Sequence, residues 1–283
     1  MRKLLVLAII LLVSFQIFAG VVTAKELAKM IKSEDIVILS ARNTSDYSKK
    51  HIKGAVNLYH KDFYNAEGVD SMLKPAAKIA AMLGKKGISE TSKIVIYDDG
   101  AGKLAGRMYW ILSYMGVTDV NLLDGHIKSW MKARKPVTQK ATEITPVTFN
   151  GTVNEVIYAS IDYVKAHSGD NNVIMVDVRS IEEYDGNNED EKLQRKGHIP
   201  GAINFNYAEI LNENETLKSK EDIAALLQAA NITSDKEIIL YCATSVRAGI
   251  VYMALTSMLD YPNVRVFDGA FYEWESDSAN PVE

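Results

Sequence analysis

Cysteine is almost absent from this sequence: Cys242 is the only one among 283 residues. A single thiol excludes a disulfide within the chain, and it identifies one position where thiol chemistry can occur. Basic runs and basic faces interleaved with aromatic residues are also missing, and the formal net charge is -4. These absences argue against nucleic acid as a partner.

The first 19 residues have the layout of a secretory signal peptide. Arg2 and Lys3 form a basic start, and Leu4–Val13 is an unbroken apolar run. We expect cleavage near Ala19, because Thr23–Glu26 fits a helix capping box that a later cut would damage. An uncleaved membrane anchor is the alternative, although the apolar run is short for a span. The expected location is therefore outside the cytoplasm, in the periplasm, with no stable membrane association after cleavage.

The rest of the chain repeats itself once, with a period of about 140 residues, which indicates two related domains rather than a solenoid. Four blocks recur in the same order: Ile36–Tyr47 with Val173–Tyr184, His51–Leu58 with Gly197–Phe205, Lys93–Gly106 with Glu237–Gly249, and Val120–Trp130 with Val264–Trp274. A duplication explains this shared order better than chance similarity does.

Short β-branched apolar runs alternate with helical patterns in each repeat. Strands this uniformly apolar are expected where both faces of a parallel sheet are covered by crossover helices. The pattern predicts an α/β fold with two tandem domains, each a central, mostly parallel sheet flanked by helices. We place the domains at 20–136 and 158–283, with an extended linker over 137–157.

The apolar run EIILY is followed by the loop CATSVR and then by a helical pattern. In open α/β sheets ligands bind beyond the carboxyl ends of the strands, so Cys242 is expected where a ligand can be met. Backbone N–H groups at a helix start cradle anions, and with Arg247 nearby they favour the nucleophilic thiolate. The small residue Ala243 lets the loop curl, and the hydroxyls of Thr244 and Ser245 can donate to the sulfur. The competing interpretation, a small buried hydrophobic residue, is common for free cysteines.

The spacing between Cys242 and Arg247 separates two chemistries. Cysteine phosphatases place five residues between the cysteine and the arginine, whereas this chain places four there. The smaller ring suits one added sulfur atom better than a tetrahedral phosphoryl group. A phosphatase is therefore disfavoured.

The segment GHIPGAIN at 197–204, the cysteine loop and the paired DG…W blocks together resemble the motifs of two-domain rhodanese-type sulfurtransferases. The resemblance covers nearly everything after the first 19 residues. It implies an active second domain, a first domain that supplies part of the cleft wall, and a ping-pong reaction. Cys242 would take a sulfane sulfur from a small anionic donor and pass the persulfide sulfur to a thiophilic acceptor, cyanide or a thiol. No metal and no organic cofactor is implied, and a monomer is expected.

The resemblance also assigns roles around the cysteine. Arg247 is expected to stabilise the persulfide, and the loop residues that follow the cysteine are expected to contact the donor; these are Ala243, Thr244, Ser245 and Val246. In the first repeat, Asp98 and Lys103 stand at the positions of the cysteine and the arginine. A carboxylate cannot form a persulfide, so the first domain is expected to be catalytically silent and structural.

Two further arginines are candidates for binding the anionic donor. Arg179 follows the apolar run VIMVDV and matches an anion-binding arginine of the family; a salt bridge with Glu182 or Glu183 is the alternative. Arg195 lies in a charged insertion before GHIPGA, where the correspondence with the family is loose. Asp177 is interpreted as a cap at the strand end rather than a base.

Two donors stay open. Mercaptopyruvate-using relatives carry a Cys-Gly-Ser-Gly-Val-Thr loop and a histidine before Met-Leu-Pro, whereas this chain has CATSVR and places Ser71 at the histidine's position. Both differences favour thiosulfate. Vertebrate thiosulfate enzymes, however, carry basic residues directly after the cysteine, where this chain has Ala243 and Thr244. An exported sulfur carrier without turnover is a further alternative.

Overall fold

The structure is a computed structural model that describes residues 20–33, 35–187 and 193–283. The predicted signal peptide and its cleavage site lie outside these residues. Within the described part of the chain, no helix is long and apolar enough to cross a membrane.

The first half of the chain forms a parallel sheet covered by helices. Its strands are β1 (Val21–Val22), β2 (Val37–Ser40), β3 (His51–Ile52), β4 (Val56–Asn57), β5 (Ile94–Tyr97), β6 (Val120–Leu123) and β7 (Val137–Thr138). Its helices are α1 (Ala24–Ser33), α2 (Thr44–Lys49), α3 (Ala76–Lys85), α4 (Lys103–Tyr114) and α5 (His126–Lys132). The sheet has the order β1-β6-β5-β2-β4, and β3 and β7 form a separate antiparallel pair.

The second half repeats this architecture. Its strands are β8 (Tyr158–Ala159), β9 (Val173–Asp177), β10 (Ile203–Asn204), β11 (Glu237–Tyr241) and β12 (Val264–Phe267). Its helices are α6 (Ile161–His167), α7 (Ile181–Tyr184), α8 (Lys220–Ala229), α9 (Ala248–Met253) and α10 (Ala270–Ser276). All neighbouring strands of its sheet are parallel, in the order β8-β12-β11-β9-β10, which matches the first sheet strand for strand. The predicted duplicated α/β fold is confirmed.

Alternate residues of each central strand face opposite layers of core. In β5, Ile94 and Ile96 pack towards the second domain's side of the molecule, whereas Val95 and Tyr97 pack under α1 and α5. All four residues are buried, because helices cover both faces of the sheet. Helix α1 begins with the predicted capping box, in which the Glu26 N–H donates to Thr23 Oγ1 at 3.2 Å and the Thr23 N–H donates to Glu26 Oε2 at 2.8 Å.

The two halves pack directly against each other where α4 crosses α9. The crossing point is a pair of glycines, and a Cβ atom on Gly249 would lie 2.6 Å from the Arg107 nitrogen, while one on Gly106 would lie 2.5 Å from Ile250 Cα. Only glycine therefore permits this backbone approach, which holds the first domain against the loop that carries Cys242.

Candidate active site

Cys242 lies at the carboxyl end of β11 and is 0% exposed. The loop after it runs into α9, as the sequence predicted. Its backbone is held by α10, because the Phe271 N–H donates to the Cys242 carbonyl at 3.0 Å and the Tyr272 N–H donates to the Ala243 carbonyl at 3.2 Å. The thiol is thus fixed at the sheet edge between two helices.

Arg247 stands directly before α9 and forms a two-pronged ion pair with Glu183. Its Nη2 lies 2.7 Å from Oε1 and its Nη1 2.5 Å from Oε2 of that carboxylate. Glu183 is itself oriented by a capping box with Ser180 at the start of α7. Burial alone would lower the pKa of Arg247, but the hydrogen bonds to Glu183 and the charge of Cys242 raise it. The guanidinium therefore stays cationic beside the sulfur.

Glu183→Gln is expected to change how stability depends on pH. Burial would raise the pKa of Glu183, but hydrogen bonds from Arg247 bring it below its ordinary value of 4.5. A carboxyl with a lowered pKa in the folded state adds stability above its ordinary value, and this stability is lost as the pH falls through the folded pKa. Wild type should therefore be more stable than Glu183→Gln above pH 4.5. The difference in melting temperature should shrink on acidification, and a difference that stays constant with pH would contradict this.

The donor-binding role predicted for Arg179 is not supported by its position. The side chain is 0% exposed, its Nε lies 2.9 Å from both carboxylate oxygens of Asp177, and its Nη2 donates to the Gly197 carbonyl at 2.7 Å. Its guanidinium also lies over the ring of Phe271, 4.2 Å from the centroid. The predicted alternative, a salt bridge from Arg179 to Glu182 or Glu183, is also wrong. Arg179 pairs with Asp177, and Glu183 pairs with Arg247. Asp177 lies at the strand end as predicted, and there it neutralises Arg179.

The guanidinium of Arg195 also donates its hydrogen bonds within its own domain. Its guanidinium donates to the carbonyls of Glu275 at 2.7 Å, Asp277 at 2.7 Å and Asn280 at 2.6 Å. These carbonyls lie at the end of α10 and just beyond it, where a cation satisfies oxygens that the helix leaves unbonded. The predicted contact between Arg195 and a donor is corrected to a helix C-terminal cap.

The loop hydroxyls differ in their roles. Ser245 is buried with a φ of 54°, and its hydroxyl donates to the Phe267 carbonyl rather than to the sulfur. This corrects the prediction that the hydroxyls of both Thr244 and Ser245 donate to the sulfur of Cys242. Thr244 and Val246 are half-buried, and Ala243 is 7% exposed, so the loop side chains pack around the cysteine.

In the corresponding loop of the first domain, backbone N–H groups hold the carboxylate of Asp98. The Asp98 carboxylate is 1% exposed and accepts backbone N–H groups from Gly100 at 2.8 Å, Leu104 at 3.0 Å and Ala105 at 3.1 Å. Leu104 and Ala105 belong to the first turn of α4. A negative group at the position equivalent to Cys242 is thus cradled by loop and helix N–H groups, as the sequence predicted for the active loop.

The first domain contributes a buried cation that sequence reasoning missed. Arg107, on α4, is 0% exposed; its Nη2 lies 2.6 Å from Asp268 Oδ1 and 3.0 Å from the Ser71 carbonyl. The other Asp268 oxygen accepts the Leu73 N–H at 2.9 Å. The sequence offered one signal for this buried cation, which is that Arg107 stands inside the apolar helical pattern KLAGRMYWIL. The pair joins the two domains next to the segment that contains Ser71.

Two titratable groups of the first domain, Tyr64 and His60, lie close to Arg107. The hydroxyl of Tyr64 lies 2.6 Å from Nδ1 of His60. Burial raises the pKa of Tyr64 to about 12, and the negative charges of Asp268 and Cys242 act in the same direction. Burial and the charge of Arg107 lower the pKa of His60 to about 3. At neutral pH the tyrosine is therefore protonated and the histidine uncharged.

Known proteins resemble this chain in sequence and in fold. Residues 23–133 and 160–277 match the Rhodanese-like domain. A thiosulfate sulfurtransferase of Azotobacter vinelandii is 28% identical over 93% of this chain and 96% of its own length. A 3-mercaptopyruvate sulfurtransferase of Escherichia coli (strain K12) is 30% identical over 93% of this chain and 97% of its own length. The crystal structure of SseA from Escherichia coli, described as a 3-mercaptopyruvate sulfotransferase, covers 89% of this chain and 99% of its own, with a TM-score of 0.81 and 28% identity.

Proposed function

The chain belongs to the rhodanese-like family, and from that membership we propose that it is a sulfurtransferase that moves a sulfane sulfur from thiosulfate to cyanide or a thiol. The sulfur is carried as a persulfide on Cys242. The observation that carries this proposal is the cysteine loop itself, whose twin in the first domain holds a carboxylate with three backbone N–H groups.

The reaction proceeds in two balanced displacements. The Cys242 thiolate attacks the outer sulfur of thiosulfate, a new S–S bond forms, and the S–S bond of the donor breaks with its electron pair leaving on sulfite. Cyanide or a thiolate then attacks the outer sulfur of the persulfide, which regenerates the Cys242 thiolate and releases thiocyanate or a new persulfide. Neither the first displacement nor the transfer to cyanide moves a proton.

The residues of the site have separate roles in this reaction. Backbone N–H groups at the start of α9 and the guanidinium of Arg247 stabilise the negative charge on the thiolate and the persulfide. Glu183 holds that guanidinium in place. The ion pair between Arg107 and Asp268 joins the first domain to the second.

The protonation states of His60 and Tyr64, the second of which senses the charge of Cys242, support thiosulfate over mercaptopyruvate. Transfer from mercaptopyruvate leaves pyruvate, whose methyl carbon must gain a proton, so a proton donor near the sulfur helps that reaction. His60 is uncharged at neutral pH with a pKa of about 3, and Tyr64 is a weak acid with a pKa of about 12. Ser71, where mercaptopyruvate-using relatives have a histidine, presents its carbonyl to Arg107.

A donor comparison tests the proposal. The purified protein is incubated with cyanide and either thiosulfate or mercaptopyruvate, and thiocyanate formation is followed. We expect kcat/KM to be at least about tenfold higher for thiosulfate, a difference of about 1.4 kcal/mol in transition-state binding. A higher kcat/KM for mercaptopyruvate would overturn the choice of donor, and release of phosphate from an aryl phosphate would overturn the reaction class.

A further inference from the structure

A lysine-ringed groove lies on the first domain, away from Cys242. Its floor is apolar and is formed by Ala28 and Ile31 of α1 together with Trp130 and Pro136. Ile31 is 38% exposed, which leaves apolar surface open in the groove. The volume is about 750 Å³, within the range of pockets that hold small ligands.

Five lysines line this groove: Lys25, Lys29, Lys32, Lys53 and Lys135. They come from α1, from the turn between β3 and β4, and from the segment after α5. Among its described lining residues there is no acidic one, although acidic residues outnumber basic ones, 36 to 32, in the whole sequence. Such a concentration of positive charge around an apolar floor attracts negative ligands.

The groove and the catalytic loop lie on opposite faces of the first sheet. Leu27 and Val95 belong to the core layer beneath the groove, and Trp130, which is 2% exposed, joins this layer to the lining of the groove. The α4–α9 contact packs on the other face, with Ile94 and Ile96. A ligand in the groove would therefore leave the Cys242 site open.

We propose that this groove binds a single-chain anionic amphiphile, a molecule with one apolar tail and one acidic head group, as in a medium-chain fatty acid. The tail packs on the floor against Ile31 and Pro136, close above Trp130, and the head group lies among the ammonium groups of the rim. The concave shape suits an inserted chain better than a flat bilayer surface. The apolar N-terminal run is a poor occupant, because residues 1–19 contain Arg2 and Lys3 and no acidic residue.

The test uses a decanoate brominated at its terminal carbon, because bromine quenches tryptophan fluorescence on contact. We expect saturable quenching in wild type that is mostly lost in Trp130→Phe, since Trp130 lines the groove. The double variant Lys53→Glu with Lys135→Glu should weaken binding by at least about tenfold, and added salt should weaken wild-type binding. The matched control, Lys78→Glu with Lys85→Glu on α3, changes two exposed lysines of the same domain and should bind as wild type does.

Three outcomes would overturn the proposal. The first is equal quenching by the brominated decanol of the same length, because the rim would then not recognise an acidic head. The second is unchanged affinity in the Lys53→Glu, Lys135→Glu variant. The third is lysine-dependent binding to phosphatidylglycerol vesicles without binding of the monomeric decanoate, because the groove would then be a membrane contact. Thiocyanate formation in both double variants should match wild type, which separates this site from the catalytic one.

Discussion

Cys242→Ser is expected to reduce thiocyanate formation from thiosulfate and cyanide to background, a loss of at least about 10⁴-fold in kcat. The serine hydroxyl has nearly the same shape, but an alcohol is a much weaker nucleophile than a thiolate and cannot form a persulfide. Because the substitution changes one atom and the loop is held by backbone hydrogen bonds from α10, it should leave the fold intact. Kinetics and a thermal melt on the same preparation measure both effects.

Mass spectrometry after exposure to thiosulfate supplies the control. Wild type should gain the mass of one sulfur atom on the peptide that contains Cys242, and Cys242→Ser should gain none. Turnover that survives in the variant would contradict the proposed mechanism. A wild-type sulfur adduct that never yields thiocyanate would instead identify a sulfur carrier.

The sequence was sufficient to predict the architecture because the fold depends on patterns along the chain. Apolar strands, helical periodicity and the internal repeat predicted two parallel sheets, and the capping box at Thr23 predicted the start of α1. The position of Cys242 followed from the same logic, since it depends only on where one strand ends and one helix begins. These are local properties that tertiary contacts did not override.

The sequence patterns could not predict which groups pair with the arginines. Arg179 and Arg195 were predicted to bind an anionic donor, but Asp177 neutralises Arg179, and the carbonyls at the end of α10 accept hydrogen bonds from Arg195. Glu183 was considered for Arg179 and pairs with Arg247 instead, a contact across 64 residues. Such pairings depend on side-chain geometry between distant segments, which periodicity does not encode.

Asp268→Asn is expected to lower the free energy of unfolding by about 3–5 kcal/mol, because it leaves the buried Arg107 without its counter-ion. Both side chains are almost fully buried, at 0% and 1% exposure. The amide cannot serve both partners as the carboxylate does: if one oxygen accepts the Leu73 N–H, the NH₂ group faces the guanidinium. Urea denaturation of the variant and of wild type measures the loss.

The internal duplication supplies a matched control for this prediction. Asp124 occupies the equivalent position in the first domain, and its Oδ1 accepts the Leu217 N–H of the second domain at 3.0 Å, mirroring the bond between Asp268 and Leu73. The residue equivalent to Arg107 is Ile250, which follows Gly249 as Arg107 follows Gly106. Asp124→Asn thus alters the same interdomain hydrogen bond with no buried arginine involved, and it should cost only about 1–2 kcal/mol. Equal losses in the two variants would show that the ion pair adds nothing to the hydrogen bond, and that the domains are held together mainly by the glycine crossing of α4 and α9.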